Sequence, residues 1–218
     1  MATFGAFFDA NVLYPSGLRN FLMHLALTGI FRAHWSADVH EEWIRNLLKN
    51  RPDLTREKLE RTRYLMDRAL PDALVTGYEH LIDSIELPDR DDRHVLAAAI
   101  RCDASVIVTV NLRDFPSQAL IDFSIEAQHP DDFVLALMDT FQDLVIEAAR
   151  NHRASLKNPS KTPDEYLAEL NTQGLRRSVT ALRELVVGRR LARRGSHLET
   201  PRGRFTGDAL IVPLKPAK

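Results

Sequence analysis

The feature that most constrains the fold is "SVIVTV" at residues 105–110, an uncharged run dominated by β-branched residues. Such a run is typical of a strand that other elements cover on both faces. Stretches with helical spacing of apolar residues separate four further segments that we interpret as strands: "FGAFF", "IFRAHW", "ALVTGY" and "FSIEAQ". Strands that alternate with helices in this way favour an α/β fold built on a parallel sheet.

The pattern changes near Pro130, where the alternation of strands and helices stops. The segment "DDFVLALMDTFQDLVIEAARNHRASL" has the spacing of one long amphipathic helix, and "DEYLAELNTQG" and "LRRSVTALRELVVGRR" predict two more. We therefore expect an α/β domain over residues 1–130 and a helical extension over 131–190. Residues 191–218 are rich in proline, glycine and charge, which predicts a flexible basic tail.

The composition indicates a folded, soluble protein, with 44% hydrophobic and 27% charged residues. No apolar run reaches the ~18 residues of a membrane-spanning helix, and no basic segment precedes the first apolar stretch, so we expect neither a membrane anchor nor a secretory signal. Cys102 is the only cysteine, which excludes an internal disulfide. Together these features favour the cytoplasm.

The net charge of −1 conceals an asymmetry along the chain. Residues 1–150 contain 24 acidic and 15 basic residues, whereas residues 151–218 contain 6 acidic and 14 basic residues. An acidic body with a basic C-terminal region could hold a polyanion beside a carboxylate site. The same asymmetry also fits electrostatic matching between two parts of the fold or between subunits.

Acidic residues follow the predicted strands or begin the helices after them. Asp9 follows the first strand, and Asp114 closes the "NLRD" segment after "SVIVTV". Two further sets stand at helix starts: Glu41 and Glu42, and Asp89, Asp91 and Asp92. Each acid taken alone also suits a turn or a helix start. Because the carboxyl ends of parallel strands meet at one edge of a sheet, we expect them to converge there, and clustered carboxylates need a cation such as Mg²⁺ or Mn²⁺.

Four blocks resemble, in order and spacing, the motif regions of PIN-domain ribonucleases: "FFDANVLYPSG", "WSADVHEEWIRNL", "DRDDRHVLAAAI" and "IVTVNLRDFP". The likeness is closest to VapC-type toxins of bacterial toxin–antitoxin pairs and covers roughly residues 4–130. The region up to about residue 190 resembles the C-terminal extension of a longer VapC subgroup. The resemblance implies a PIN-like parallel sheet flanked by helices and followed by a helical extension.

The resemblance also implies roles for individual residues. It assigns the catalytic and metal-binding acids as Asp9, Glu42, Asp92 and Asp114. Polar support for these acids would come from Asn11, Thr109 and Asn111. Arginines beside the motifs could hold the RNA backbone, or each could equally pair with the acid next to it: Arg19, Arg90, Arg93 and Arg113. A second candidate patch consists of Arg176, Arg177, Arg189, Arg190, Arg193 and Arg194. Many family members have an aspartate where Asn111 stands, which puts a second metal ion in doubt.

The activity implied by the resemblance is Mg²⁺- or Mn²⁺-dependent endonucleolytic hydrolysis of RNA, with no covalent enzyme intermediate. A toxin of this type would form a homodimer and bind a small cognate antitoxin. A housekeeping RNA-processing enzyme would use the same site, and a catalytically impaired protein that only binds RNA or a partner stays open because of Asn111. A haloacid-dehalogenase-type phosphatase also places an aspartate after its first strand, but it needs a second acid where this chain has Asn11.

Overall fold

The centre of the fold is a parallel sheet, seen in a computed structural model that describes residues 3–193, with side chains through residue 185. Its strands are β1 (Gly5–Phe8), β2 (Arg32–Ser36), β3 (Leu74–Val75), β4 (Ala104–Val108) and β5 (Glu126–Gln128). They lie in the order β3-β2-β1-β4-β5, and every neighbouring pair is parallel. The predicted α/β fold with a parallel sheet is confirmed.

Helices follow or connect the strands. They are α1 (Ala10–Leu13), α2 (Ser16–Ala26), α3 (Ala37–Asn50), α4 (Arg56–Ala69), α5 (Arg93–Arg101), α6 (Ser117–Leu120), α7 (Pro130–Ser155), α8 (Pro163–Thr172) and α9 (Arg176–Arg193). Short 3-10 turns cover Glu79–Ser84, Leu112–Asp114 and Ile121–Phe123. Within residues 3–193, no helix is both long and apolar enough to cross a membrane.

Both faces of the sheet are covered. Successive side chains of a strand point to opposite faces, and all four residues of β1 are buried. Helix α5 packs against β1, β2 and β4. Phe133 of α7 contacts Phe8 of β1 and Phe31 beside β2, with ring centroids 6.4 and 5.1 Å away. This aromatic cluster joins the C-terminal helices to the sheet.

The helical C-terminal extension is also confirmed, and α7 packs against α2 and α9. The single long helix predicted from residue 131 is α7, although Phe141 interrupts it with the non-helical angles φ −126° and ψ 39°. The boundaries of 1–130 and 131–190 for the two parts stay a prediction. The tail predicted beyond residue 190 falls largely on residues 194–218, which lie outside the described residues.

Three elements, β3, β5 and α5, are clearly shorter than their sequence patterns predict; β5 covers only the last three residues of "FSIEAQ". The third strand covers only Leu74–Val75, because Gly77 has a φ of +75° and turns the chain out of the sheet. Helix α5 begins at Arg93, so the acids before it do not form its first turn. The Asp89 carboxylate instead accepts a hydrogen bond from the Asp91 amide at 2.9 Å, which stabilises a turn.

Candidate metal centre

The predicted acids meet at the edge of the sheet where β1, β2 and β4 end. Asp9 follows β1 directly, and Asp114 lies in the 3-10 turn after β4. Glu42 projects from the second turn of α3, which begins immediately after β2. Asp92 precedes α5. Parallel strands therefore deliver acids from four separate segments to one region of the surface.

Three carboxylates form the tightest group. Asp89, Asp92 and Asp114 each place one oxygen so that all three lie within 4.8 Å of one another. Asp92 and Asp114 belong to the set expected from the sequence, whereas Asp89 was only one of several helix-start acids. The signal that could have selected it is the turn-forming sequence Pro-Asp-Arg-Asp-Asp before α5, in which an aspartate accepts from the amide two residues on.

Asp9 is buried and held by two polar neighbours. The Asn11 amide and the Thr109 hydroxyl both donate to Asp9 Oδ2, at 2.5 and 2.7 Å. Asn11 also donates to Thr109 Oγ1 at 2.9 Å, and its own oxygen accepts from the Val110 amide at 3.1 Å. This network joins the ends of β1 and β4 and fixes the orientation of the Asp9 carboxylate.

Burial, and after it the repulsion between neighbouring acids, raises the pKa of two of the carboxyls. Burial, followed by the charges of Asp9, Asp114, Asp89 and Glu42, raises the pKa of Asp92 to about 7. Burial also raises the pKa of Asp9; the Thr109 hydrogen bond opposes this rise, and the charge of Glu42 adds to it. Concentrated carboxylate oxygens with raised pKa values are a donor set that suits a hard divalent cation. The residues present therefore fit Mg²⁺ or Mn²⁺.

Glu42 and Glu41 point to different partners. Glu42 Oε2 lies 3.6 Å from His94 Nε2 on α5, beside the acidic cluster. Glu41 instead pairs with Arg56 of α4 at 2.5 Å. Trp43, the next residue, is fully buried and fixes the orientation of this turn of α3. Glu42 therefore lies beside the acidic cluster, whereas Glu41 pairs away from it with α4.

Asn111 contacts an acid directly. Its side-chain amide donates to Asp114 Oδ2, and its backbone amide donates to Thr109 Oγ1 at 3.0 Å. In this arrangement the Asn111 side chain is the hydrogen-bond donor, and it fixes the orientation of the Asp114 carboxylate. An aspartate at this position would instead add a further negative charge.

The four arginines expected to hold RNA have different environments. Arg90 and Arg113 are exposed beside the acids, whereas Arg93 is half-buried. The prediction that Arg19 contacts RNA is wrong, because its side chain is only 2% exposed. Arg19 donates to the Leu13 carbonyl at 2.6 Å and stacks on Trp43, so it belongs to the interior between α2 and α3.

Comparison with known proteins assigns both parts of the chain to described families. Residues 6–113 match the family described as "PIN domain", and residues 130–184 match the "VapC50 C-terminal domain". A curated relative, "Putative ribonuclease VapC50" of Mycobacterium tuberculosis, is 39% identical over 104 residues. That alignment covers 48% of this chain and 61% of the relative. No solved structure gives a significant match.

Proposed function

The chain belongs to the VapC-type PIN-domain family, with a VapC50 C-terminal domain after the PIN domain, and we propose that it is a metal-dependent endoribonuclease. The observation that carries this proposal is the cluster of Asp89, Asp92 and Asp114 beside Asp9 and Glu42. The name of the curated relative, a ribonuclease, supports RNA as the substrate.

The acids are proposed to bind Mg²⁺ or Mn²⁺, with Asp9, Asp92 and Asp114 as the principal ligands. A divalent cation held there would stabilise the negative charge that develops on the scissile phosphate. Asp89 and Glu42 add negative charge around it, which increases the affinity of the cluster for a cation. Arg90 and Arg113 are exposed beside the acids and supply positive charge for the RNA backbone.

The chain's own residues position the reacting groups. Asn11 and Thr109 hold Asp9 in one orientation through two hydrogen bonds to the same oxygen. Asn111 orients the Asp114 carboxylate through one hydrogen bond from its side-chain amide. His94 Nε2 lies 3.6 Å from Glu42 Oε2 beside the cluster. Groups that are oriented before the substrate binds need no reorganisation during the reaction.

A toxin of a VapBC-type pair is the biological role we propose. It implies a small antitoxin whose segment covers the acidic cluster, and a homodimer that acts in the cytoplasm. A housekeeping RNA-processing enzyme would use the same residues. Whether a neighbouring gene encodes a small antitoxin distinguishes these two roles.

A second candidate function is that of a catalytically impaired protein that binds RNA or a partner, and Asn111 is the residue that supports it. Asn111 contributes no charge to the cluster, so the site has less capacity for a second cation. A phosphatase is disfavoured, because Asn11 stands where such an enzyme needs an acid, and its amide, which donates a hydrogen bond to Asp9, cannot act as a general acid or base for a leaving group.

An RNA cleavage assay with Mg²⁺ or Mn²⁺ tests the proposal. We expect wild-type cleavage to stop in EDTA, and Asp9→Asn and Asp114→Asn each to lower the rate by at least ~100-fold. Asp122→Asn is the matched control, since Asp122 is exposed outside the cluster. Equal cleavage by wild type and both site variants would contradict the site. Folding of each variant is checked by its thermal midpoint.

A further inference from the structure

Positive charge in the acidic part of the chain is concentrated in one place. Eight of the 15 lysines and arginines of residues 1–150 lie between Arg45 and Arg68, against four of the 24 acids. These residues cover the second half of α3, the turn after it and nearly all of α4. The first half of α3 adds Asp38, Glu41 and Glu42, so the excess of cations belongs to the stretch from Arg45 onward and not to the whole of α3. A local excess of cations on an otherwise acidic body is a pattern that attracts a polyanion.

Within this region, the four arginines of α4 divide into two groups. Arg56 pairs with Glu41 and Glu60, and Arg63 lies 3.7 Å from Glu60 and 3.8 Å from Asp67. Arg61 and Arg68 are exposed, and neither has an ion pair or a side-chain hydrogen bond among the described residues. Their guanidinium groups are therefore available to an external anion.

Tyr64 lies between these two arginines on the helix surface. Residues 61, 64 and 68 are spaced three and four apart, which brings their side chains to one side of the helix. Tyr64 is 61% exposed, and no aromatic ring of the described region packs on it. An exposed aromatic ring flanked by unpaired arginines offers a stacking surface for a base and two contacts for phosphates. We call Arg61, Tyr64 and Arg68 the α4 face.

The α4 face has a fixed relation to the acidic cluster. Asp67 of α4 accepts from Trp35 Nε1 at 2.8 Å and lies 3.0 Å from His40 Nε2, and both partners are buried. His40 and the Arg56 partner Glu41 immediately precede Glu42 on α3. Because α4 is bonded to the turn of α3 that carries Glu42, an RNA held on α4 is held relative to the metal centre.

We propose that the α4 face is an RNA-binding surface, with Arg61 and Arg68 on the backbone phosphates and a base stacked on Tyr64. This proposal rests on the proposed ribonuclease function, since it supplies a second contact for the same substrate. A protein partner fits less well, because the largest apolar contacts of α4, Leu59 and Met66, are buried against the body of the protein, and only Leu65 and Ala69 stay half-buried beside the face. An apolar centre is what a protein interface needs.

The test measures affinity for a short fluorescent single-stranded RNA in EDTA, which prevents cleavage, over a range of salt concentrations. We expect Arg61→Gln/Arg68→Gln to weaken binding about 10-fold or more at low salt. The slope of log affinity against log salt should become shallower by about 1.4, the value for two phosphate contacts on a single strand. The matched control is Arg150→Gln, an exposed arginine of α7, which should bind as wild type does.

Tyrosine variants separate stacking from charge. Tyr64→Ala should weaken binding several-fold with an unchanged salt slope, and Tyr64→Phe should bind like wild type. Wild-type affinity and salt slope in the double arginine variant would overturn the proposal, and so would an equal loss in Arg150→Gln. If wild type binds through this face but fails to cleave with Mg²⁺ or Mn²⁺, the ribonuclease function fails and this surface stands. If wild type cleaves and the arginine variants bind normally, only this surface fails.

Discussion

Arg19 shows how burial determines the role of a single residue. Its guanidinium carbon lies 4.9 Å from the centroid of the Trp43 ring, and its side chain has no carboxylate partner in the described region. Burial lowers the pKa of Arg19 to about 10. A guanidinium is planar and weakly hydrated, so it tolerates stacking in the interior better than an ammonium group does. The sequence alone places Arg19 beside a motif; only the packing of α2 on α3 determines that it is buried.

Replacement of Arg19 should discriminate between packing and charge. We expect Arg19→Lys to lower the free energy of unfolding by ~2 kcal/mol, because the ammonium group cannot stack on Trp43 and is harder to desolvate. Arg19→Met replaces the buried charge by an apolar side chain of similar volume, so this variant should be less destabilised than Arg19→Lys. Urea unfolding at neutral pH measures both, with Arg150→Lys as the exposed control. A lysine variant as stable as wild type would contradict this role.

At the scale of elements, sequence patterns located the five strands and the main helices but not all of their ends. The β4 run and the acids Asp9 and Asp114 after two strands followed from the burial of parallel strands. The start of α5 could not be predicted in this way, because an acidic stretch before an apolar run resembles the first turn of a helix. The Asp89 turn that replaces it depends on a side-chain hydrogen bond, which periodicity does not detect.

Asp131 was likewise invisible to sequence patterns, although it joins two helices. Its carboxylate lies in the first turn of α7 and accepts from the Arg177 amide at 2.9 Å, the Ser178 amide at 2.8 Å and the Ser178 hydroxyl at 2.6 Å at the start of α9. Burial disfavours the charged form, but these hydrogen bonds outweigh it and hold the pKa of Asp131 below its usual value. Asp131, which is far from α9 in sequence, thus acts as the N-terminal cap of that helix.

Asp131→Asn should destabilise the protein by about 1–2 kcal/mol at neutral pH, since an amide replaces a charged acceptor of three hydrogen bonds. Because the folded pKa is lowered, the stabilisation by Asp131 is present above the unfolded pKa of ~3.9 and is lost as the pH falls through the folded value. The difference from wild type should therefore shrink in acid. Denaturant unfolding at several pH values measures it, and Asp139→Asn is the exposed control. A pH-independent difference would argue against the cap.

At the scale of the whole molecule, a histidine cluster joins the PIN part to the helical extension. The rings of His24 on α2 and His152 on α7 stack 5.3 Å apart, and His152 Nδ1 lies 3.0 Å from the Tyr166 hydroxyl on α8. Burial lowers the pKa of His24 to about 4. Burial, with the charges of His24 and Lys161, lowers that of His152 to about 3. Both rings are therefore neutral in the folded protein at physiological pH.

This joint should weaken in acid. The unfolded histidines have a pKa of ~6.5, so the unfolded chain binds more protons below that pH. Stability should be full above pH ~6.5 and fall towards pH ~4, by up to about 1.4 kcal/mol per pH unit for each histidine. Urea unfolding across this window should show a flatter dependence in His24→Gln/His152→Gln than in wild type. His34 and His40 remain in both proteins, so parallel curves would exclude the cluster as the cause.

The central claim, a metal-dependent ribonuclease centre at the sheet edge, is tested most directly by measuring Mn²⁺ affinity and Mn²⁺-dependent RNA cleavage on the same protein. Calorimetry gives the Mn²⁺ Kd, and a cleavage titration gives the Mn²⁺ concentration for half-maximal rate. The two values should agree in wild type and in Asp122→Asn, and Asp92→Asn should lose both binding and cleavage. Undiminished cleavage in EDTA, or wild-type Mn²⁺ affinity in Asp92→Asn, would contradict the account.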